Sequence, residues 1–250
     1  MLDFEIQDGA LVWYKGEEET VIIPEAVSRI GVGAFRDSSV VRVVLHNGIT
    51  RIHRGAFMSC YRLQGMEIPD SVTRIDRDAF YRCAALESVR LPAGLERIRE
   101  STFAECASLK LVVLPETLKV MGPAAFQDCT SLETLVLPES LEEIRDVAFM
   151  GCEQLKLDKL PSHLKRIETM AFDGCKQIEA LTLGAELEQM KDTCFPSGLR
   201  TLYSSDSRLE DYQQMLNGQV TELSNQHHSL IIGRGGGWSI DREAGALRRI

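Results

Sequence analysis

The segment from Pro115 to Leu137, PETLKVMGPAAFQDCTSLETLVL, decides the fold because its pattern recurs along the chain. Its phenylalanine belongs to a series in which eight of the nine phenylalanines are 22 or 23 residues apart. The eight are Phe35, Phe57, Phe80, Phe103, Phe126, Phe149, Phe172 and Phe195. A fixed period of this length is typical of stacked repeats, in which neighbouring units together bury the apolar face that one unit cannot bury alone.

Other residue types keep the same spacing. Proline follows phenylalanine by twelve positions in five units, and cysteine follows it by three in six units, at Cys60, Cys83, Cys106, Cys129, Cys152 and Cys175. Val112 and Leu114 alternate inward along a short strand, which Pro115 ends because it lacks an N–H donor. Phenylalanine and cysteine at helical spacing indicate one buried helical turn. The sequence therefore predicts a repeat solenoid, a right-handed arc with short parallel strands on one face and short extended pieces and helical turns on the other.

The repeat also sets the predicted boundaries. Asp8-Gly9 favours a hairpin turn near the N-terminus, Ser207 to Glu210 form a capping box, and the glycine run 233–237 indicates a linker. The residues from Trp238 onward repeat the pattern of the first hairpin, so a second hairpin either folds back on the solenoid or begins another unit. The predicted units are an N-terminal hairpin cap (1–20), a solenoid of about eight units (21–203), a C-terminal capping helix (204–218), and a linker with a tail hairpin (219–250).

The pattern Leu-Pro-x-x-Leu-x-x-Ile-x-x-x-Ala-Phe-x-x-Cys-x-x-Leu-x-x-Val resembles the BspA-like leucine-rich repeat of bacteria. Residues 115–137 match it almost letter for letter, and the resemblance covers residues 20–203. It implies a leucine-rich-repeat solenoid with a parallel sheet on one face. It also implies a role in protein interaction, often at a bacterial surface. The motif is a packing motif, so the resemblance implies no catalytic residue.

Composition narrows the classes of function. The 250 residues carry 28 Lys and Arg against 37 Asp and Glu, a formal net charge of −9, which argues against a nucleic-acid partner. No apolar run is long enough for membrane insertion. The N-terminus has neither a basic region nor an apolar core, so no signal peptide is predicted. These features favour the cytoplasm over the cell surface, and both locations stay open.

Neither the cysteines nor the histidines predict a metal site or a cofactor. A row of thiols on one side of a core cannot surround a tetrahedral ion, and reduced, buried, structural cysteines are expected. Disulfides stay open, because the spacing between units falls within the Cα distance that a disulfide allows. The glycine run 233–237 lacks the Lys-Ser/Thr of a phosphate loop. We therefore expect no enzyme.

Asp158 occupies a core column in which the other units place Met66, Val89, Val112, Leu135 and Leu181. An unpaired carboxylate buried there would cost several kcal/mol. We therefore interpret this position as a local bulge, with Leu157 or Lys159 taking part of the inward space. A buried and paired carboxylate is the alternative.

The outward strand positions of the middle units predict a site for a protein partner. Apolar or β-branched side chains lie side by side at Leu111, Val113, Thr134, Val136 and Leu157, flanked by the charges of Arg90 and Lys159. A contiguous apolar face with a charged rim is typical of an interaction surface. Ordinary β-branched strand residues left exposed are the alternative.

A second column carries one arginine per unit at Arg29, Arg51, Arg74 and Arg97. Residues 28–105 hold 12 Arg and nine acids, a net charge of +3, whereas residues 106–200 hold ten basic residues and 15 acids, a net charge of −5. Stacked like charges repel unless acids or an anionic ligand screen them. Either nearby acids pair with them, at Asp76, Asp78, Glu96 or Glu100, or an acidic protein or a glycan docks there.

The sequence thus predicts a non-enzymatic scaffold that binds a protein partner through the solenoid surface. A bacterial cell-surface adhesion module that binds a host protein or a glycan is the alternative.

Overall fold

The computed structural model describes residues 3–204, 238–241 and 246–249. They form a solenoid of about eight turns, with two parallel sheets on its flanks and a single core between them. The solenoid predicted from the period is confirmed, as is the leucine-rich-repeat type that the resemblance implied. We call each turn of the solenoid a rung.

The main sheet carries the three-residue strands. They are β3 (Thr20–Ile22), β5 (Arg42–Val44), β7 (Gly65–Glu67), β9 (Ser88–Arg90), β11 (Leu111–Val113), β15 (Ala180–Thr182) and β17 (Thr201–Tyr203). β3 to β11 pair in parallel order, as do β15 and β17. Isolated parallel bridges continue the sheet between β11 and β15.

The second sheet consists mostly of two-residue strands that begin the next rung. Its first part contains β1 (Phe4–Gln7), β2 (Ala10–Tyr14), β4 (Arg29–Ile30), β6 (Arg51–Ile52) and β8 (Arg74–Ile75). Its second part contains β10 (Arg97–Ile98), β12 (Val120–Met121), β13 (Glu143–Ile144), β14 (Arg166–Ile167) and β16 (Gln189–Met190). The two parts are separate sheets, so the ladder is interrupted between β8 and β10.

The phenylalanines form a continuous stack through the core. From Phe35 to Phe172 neighbouring rings lie 5.0–5.7 Å apart, centre to centre, and are within 14° of parallel. Beside this stack, each column thiol donates to the phenylalanine C=O of the preceding rung, at 3.0–3.2 Å. All seven cysteines are buried, and none of them forms a disulfide bond.

The segments around the phenylalanines are tight turns. Each is closed by hydrogen bonds from a backbone N–H to the C=O three residues earlier, as from Cys129 N–H to Phe126 C=O at 3.2 Å. In the turns from Phe35 to Phe172, the residue two positions before the phenylalanine and the residue two positions after it have positive φ. Around Phe126 these residues are Ala124 (52°) and Asp128 (56°). A right-handed helix cannot continue through such residues. Within the described residues the one helix is a 3-10 turn at Asp192–Cys194.

The interpretation of Asp158 as part of a bulge is confirmed. Thr134 bridges to Lys156, and the next bridge joins Lys159 to Thr182. Two residues, Leu157 and Asp158, therefore stand where other rungs have one inward residue. Asp158 is exposed, and its carbonyl accepts a hydrogen bond from Thr182 N–H at 2.8 Å.

The two ends of the solenoid carry hairpins. β1 and β2 pair antiparallel around Asp8-Gly9, and β2 pairs in parallel with β4. At the other end β18 (Trp238–Asp241) and β19 (Ala246–Arg249) form a hairpin that folds back, because β19 pairs antiparallel with β17. Apart from residue 204, the helix predicted for 204–218 and the linker after it fall in residues 205–237, outside the described residues. No described helix is long and apolar enough to cross a membrane.

Candidate functional site

An apolar patch lies on the outward face of the main sheet, in the middle rungs. Leu111, Val113 and Val136 are 54%, 48% and 77% exposed. Thr134, also exposed, bridges to Leu111, so these side chains belong to adjacent strands. The inward residues Val112 and Leu135 are buried, as strand alternation requires. We call Leu111, Val113, Thr134 and Val136 the apolar patch.

Leu157 does not belong to this patch, and its prediction as an outward residue was wrong. The bulge turns Leu157 inward, where it is half-buried and packs against the core in place of Asp158. Lys159 remains exposed beyond the bulge. On the other side of the patch, Arg90 is exposed and lies 3.3 Å from the Asp70 carboxylate.

A groove of about 640 Å³ adjoins the apolar patch on the same face. Its floor lies at Gly65 and Ser88, two outward positions with little or no side chain. Leu111 and Val113 form one wall, and the rest of the lining mixes apolar residues such as Val44 with the charged side chains of Arg42, Glu67 and Arg90. The sequence analysis did not predict this groove, although glycine at an outward strand position was a signal for it.

The arginine column lies on the second sheet. Arg29, Arg51 and Arg74 are register neighbours on β4, β6 and β8, one above the other. Asp76 separates two of them, since its carboxylate lies 2.8 Å from Arg51 and 2.6 Å from Arg74. Burial alone would raise the pKa of Asp76, but the hydrogen bonds from these arginines outweigh it and lower the pKa below its usual value.

The remaining acids screen the column only in part. Asp78 and Glu100 pair with Arg54 and Arg77, which are not in the column. Glu96 pairs with Lys119 at 3.3 Å. Arg29 donates to the Asp8 carbonyl at 2.5 Å. Arg97 has neither an ion pair nor a side-chain hydrogen bond to any residue within the described ranges.

A histidine also lies beside Asp76. His53 lies 3.5 Å from the Asp76 carboxylate. Burial, together with the Arg51 charge, lowers the pKa of His53. Among the residues that the structure describes, no three His, Cys, Asp or Glu side chains come together in a way that could hold a metal ion.

The stacked rungs, the apolar columns and the parallel sheets define a leucine-rich repeat protein. The sequence pattern of the BspA-type leucine-rich repeat region matches residues 6–133 and 119–210, in six copies. The chain belongs to this family.

Solved structures show the same fold. A leucine-rich repeat protein of T. pallidum is 30% identical, with a TM-score of 0.62 over 67% of this chain and 81% of that chain. A leucine-rich cell surface protein of Faecalibacterium prausnitzii is 26% identical, with a TM-score of 0.54 over 80% of this chain and 63% of that one. A leucine-rich repeat protein of Eubacterium ventriosum is 24% identical, with a TM-score of 0.63; it is matched over 67% of this chain and 46% of its own length. The comparison with curated proteins found no match.

Proposed function

We propose that the protein is a non-enzymatic scaffold that binds a protein partner on the outward face of its main sheet. The apolar patch is the observation that carries this proposal. Its three aliphatic side chains are exposed, while the core beneath them is already filled by Val112 and Leu135. Side chains that packing does not need and that are costly to leave in water favour a binding role.

The groove beside the patch supplies the polar part of the interface. Arg42, Glu67 and Arg90 stand around its floor, so charges of both signs lie next to apolar anchors. Interfaces combine an apolar centre with a polar rim in this way. The partner that fits presents aliphatic or aromatic side chains to the patch and polar side chains to the groove.

The test is a variant with Leu111→Ser, Val113→Thr and Val136→Thr. We expect its stability to stay within about 1 kcal/mol of the wild type, as for most surface substitutions. We expect affinity for partners captured from the native lysate to fall by about 30-fold or more, since losing a hot spot costs at least about 2 kcal/mol.

The matched control is Val32→Thr with Tyr61→Ser, which removes two exposed apolar side chains outside the main sheet. The control should capture the same partners as the wild type. Equal capture by the patch variant would overturn the proposal, and a large loss of stability would place the three residues in the core.

Adhesion at a bacterial cell surface, to a host protein or a glycan, is a second candidate. The likeness to the F. prausnitzii protein, which is described as a cell surface protein, favours it. Labelling intact cells of the source organism with a membrane-impermeant biotin reagent tests this candidate. Labelled protein would support a surface location, and protein found only in the unlabelled cytoplasmic fraction would contradict it.

A further inference from the structure

The second sheet opens between β8 and β10. At the other interfaces of this sheet, N–H groups of the later rung donate to C=O groups of the earlier rung. The N–H of Asp76 donates to the C=O of Ile52, and that of Gly122 donates to the C=O of Ile98, both at 2.9 Å. In the described part of the chain, no backbone hydrogen bond joins β8 to β10. The rest of the interface is intact, since the Phe80 and Phe103 rings stack at 5.2 Å. The opening is therefore confined to one face.

One hydroxyl bond that several other interfaces have is absent at the opening. In the loop after the proline, a Ser or Thr hydroxyl donates to a carbonyl of the preceding rung: Ser71 to Ile49 at 2.7 Å, Thr117 to Leu95 at 3.2 Å, and Ser140 to Leu118 at 2.7 Å. The equivalent position at the opening is Gly94. It has no side chain and cannot make this bond.

The opening lies at the interface at which Arg74 and Arg97 would be register neighbours. Two residues after Gly94, the carboxylate of Glu96 turns away from the opening to Lys119.

The opening presents hydrogen-bond donors. In the next rung the N–H groups of Lys119 and Val120 donate to Glu96, and that of Gly122 donates to Ile98. By this pattern, the equivalent N–H groups of Glu96, Arg97 and Arg99 face β8 across the opening without a backbone acceptor.

Positive charge surrounds these donors. The opening has a volume of about 310 Å³, and Arg74, Arg97 and Arg99 line it. Two carboxylates are near, and both are engaged: Glu96 pairs with Lys119, and Asp76 pairs with Arg51 and Arg74. Arg99 reaches Asp76 only at 4.0 Å. The opening therefore combines unpaired N–H groups with an excess of guanidinium charge.

We propose that the opening between β8 and β10 binds a tetrahedral oxyanion, sulfate or phosphate, either free or carried on a sugar. Adjacent backbone N–H groups form anion-binding concavities, and guanidinium groups bind such anions through paired N–H donors. The anion supplies the acceptors that the interrupted ladder lacks and screens Arg74 from Arg97. This site lies on the second sheet and the apolar patch lies on the main sheet, so each proposal can be tested independently of the other.

The first test is a titration of the protein with sodium sulfate and with phosphate at constant ionic strength, followed by amide NMR. We expect the amide signals of Glu96, Arg97 and Arg99 to shift together and their hydrogen exchange to slow.

Arg97→Gln should weaken binding of the anion about tenfold or more. The matched control is Arg166→Gln, at the same column position in the continuous part of the sheet, and it should change the affinity less than about twofold. Equal losses in the two variants, or no saturable shift at these amides, would overturn the proposal.

A second measurement distinguishes the sources of the anion. A sulfated disaccharide is compared with its unsulfated parent and with inorganic sulfate, by calorimetry on the wild type and Arg97→Gln. Tighter binding of the sulfated sugar than of sulfate supports a sugar-borne anion at this site. Equal binding supports a free anion, and binding of the unsulfated parent as tightly as the sulfated sugar contradicts the oxyanion site.

Discussion

At the scale of single residues, the cysteine column is a connection between rungs. From Phe57 to Phe149, the carbonyl of each stacked phenylalanine accepts the N–H of the cysteine three residues later and the thiol of the next rung, as Phe103 does from Cys106 and from Cys129. Burial raises the pKa of the Cys106 and Cys175 thiols to about 12, so both keep the proton that they donate. The cysteine of the repeat is therefore a buried hydrogen-bond donor as well as a small apolar side chain.

Val147 is strained by its backbone. It has a φ of 51°, in a column where other rungs place Gly33 and Gly55. The left-handed region costs non-glycine residues about 1–2 kcal/mol, and β-branched residues are rarest there. We expect Val147→Gly to raise the free energy of unfolding by up to about 1 kcal/mol, after the entropy cost of glycine. Urea denaturation of the wild type and of Val147→Gly measures this change in the free energy of unfolding.

The control for Val147 is Val136→Gly, which changes an exposed valine that does not have positive φ. This control should lower stability, because glycine gains freedom in the unfolded chain and relieves no strain. A loss of stability in Val147→Gly as large as in the control would show that the valine is not strained.

At the scale of elements, Asp76 joins β6 to β8. Its carboxylate accepts hydrogen bonds from Arg51 and Arg74, and only 11% of the side chain is exposed. Asp76→Asn leaves two adjacent arginines without their counter-charge. We expect it to lower the free energy of unfolding by about 2 kcal/mol at pH 7, the range measured for hydrogen bonds to charged groups.

The effect of Asp76 depends on pH in a defined direction. Its pKa is lower in the folded protein than the value of about 3.9 in the unfolded chain. The carboxylate therefore contributes its full stabilisation above that value, and the contribution is lost as the pH falls through the folded pKa. The difference in stability between wild type and Asp76→Asn should shrink below about pH 4. Thermal melts of the two proteins from pH 7 to pH 3 measure this difference in stability.

The matched control for Asp76 is Asp37→Asn, whose carboxylate is mostly exposed and lies 3.5 Å from Arg36. Exposed pairs contribute little, so the control should follow the wild type at every pH. A difference for Asp76→Asn that stays constant down to pH 3 would contradict the assigned role of its charge.

The elements also show what could be predicted from the sequence. Periodicity identified the strands, the phenylalanine stack and the exposed residues Leu111, Val113 and Val136, because each follows from alternation and stacking. Leu157 was misassigned because a bulge shifts the alternation by one residue. The opening at β8 and β10 was not foreseen, because Arg97 and Ile98 follow the same sequence pattern as the strands of rungs whose ladder is continuous.

At the scale of the whole molecule, each rung is stabilised by its contacts with the two neighbouring rungs. Phe126 is fully buried between Phe103 and Phe149, at 5.3 and 5.7 Å. Phe126→Ala removes one ring from the middle of the stack, and we expect a cost of about 3–5 kcal/mol. Because contacts run between neighbouring rungs, the loss of hydrogen-exchange protection should concentrate in residues 103–149.

The control for the stack is Phe4→Ala, at the end of the aromatic row, where the side chain is only partly buried. Its cost should be smaller, and the loss of protection should stay near the first hairpin. Unchanged melting and exchange in Phe126→Ala would contradict the stacked core.

The thiol that bonds to the preceding rung has a consequence for how such chains grow over evolutionary time. Because every interior rung offers the same ring, thiol and carbonyl to both neighbours, a duplicated stretch of one unit finds its contacts ready on either side. Genes for such chains can therefore lengthen or shorten by whole units without the invention of a new core, while the two end hairpins stay as they are. Insertions of any other length must be absorbed within a single unit, as the bulge at Leu157 and Asp158 shows.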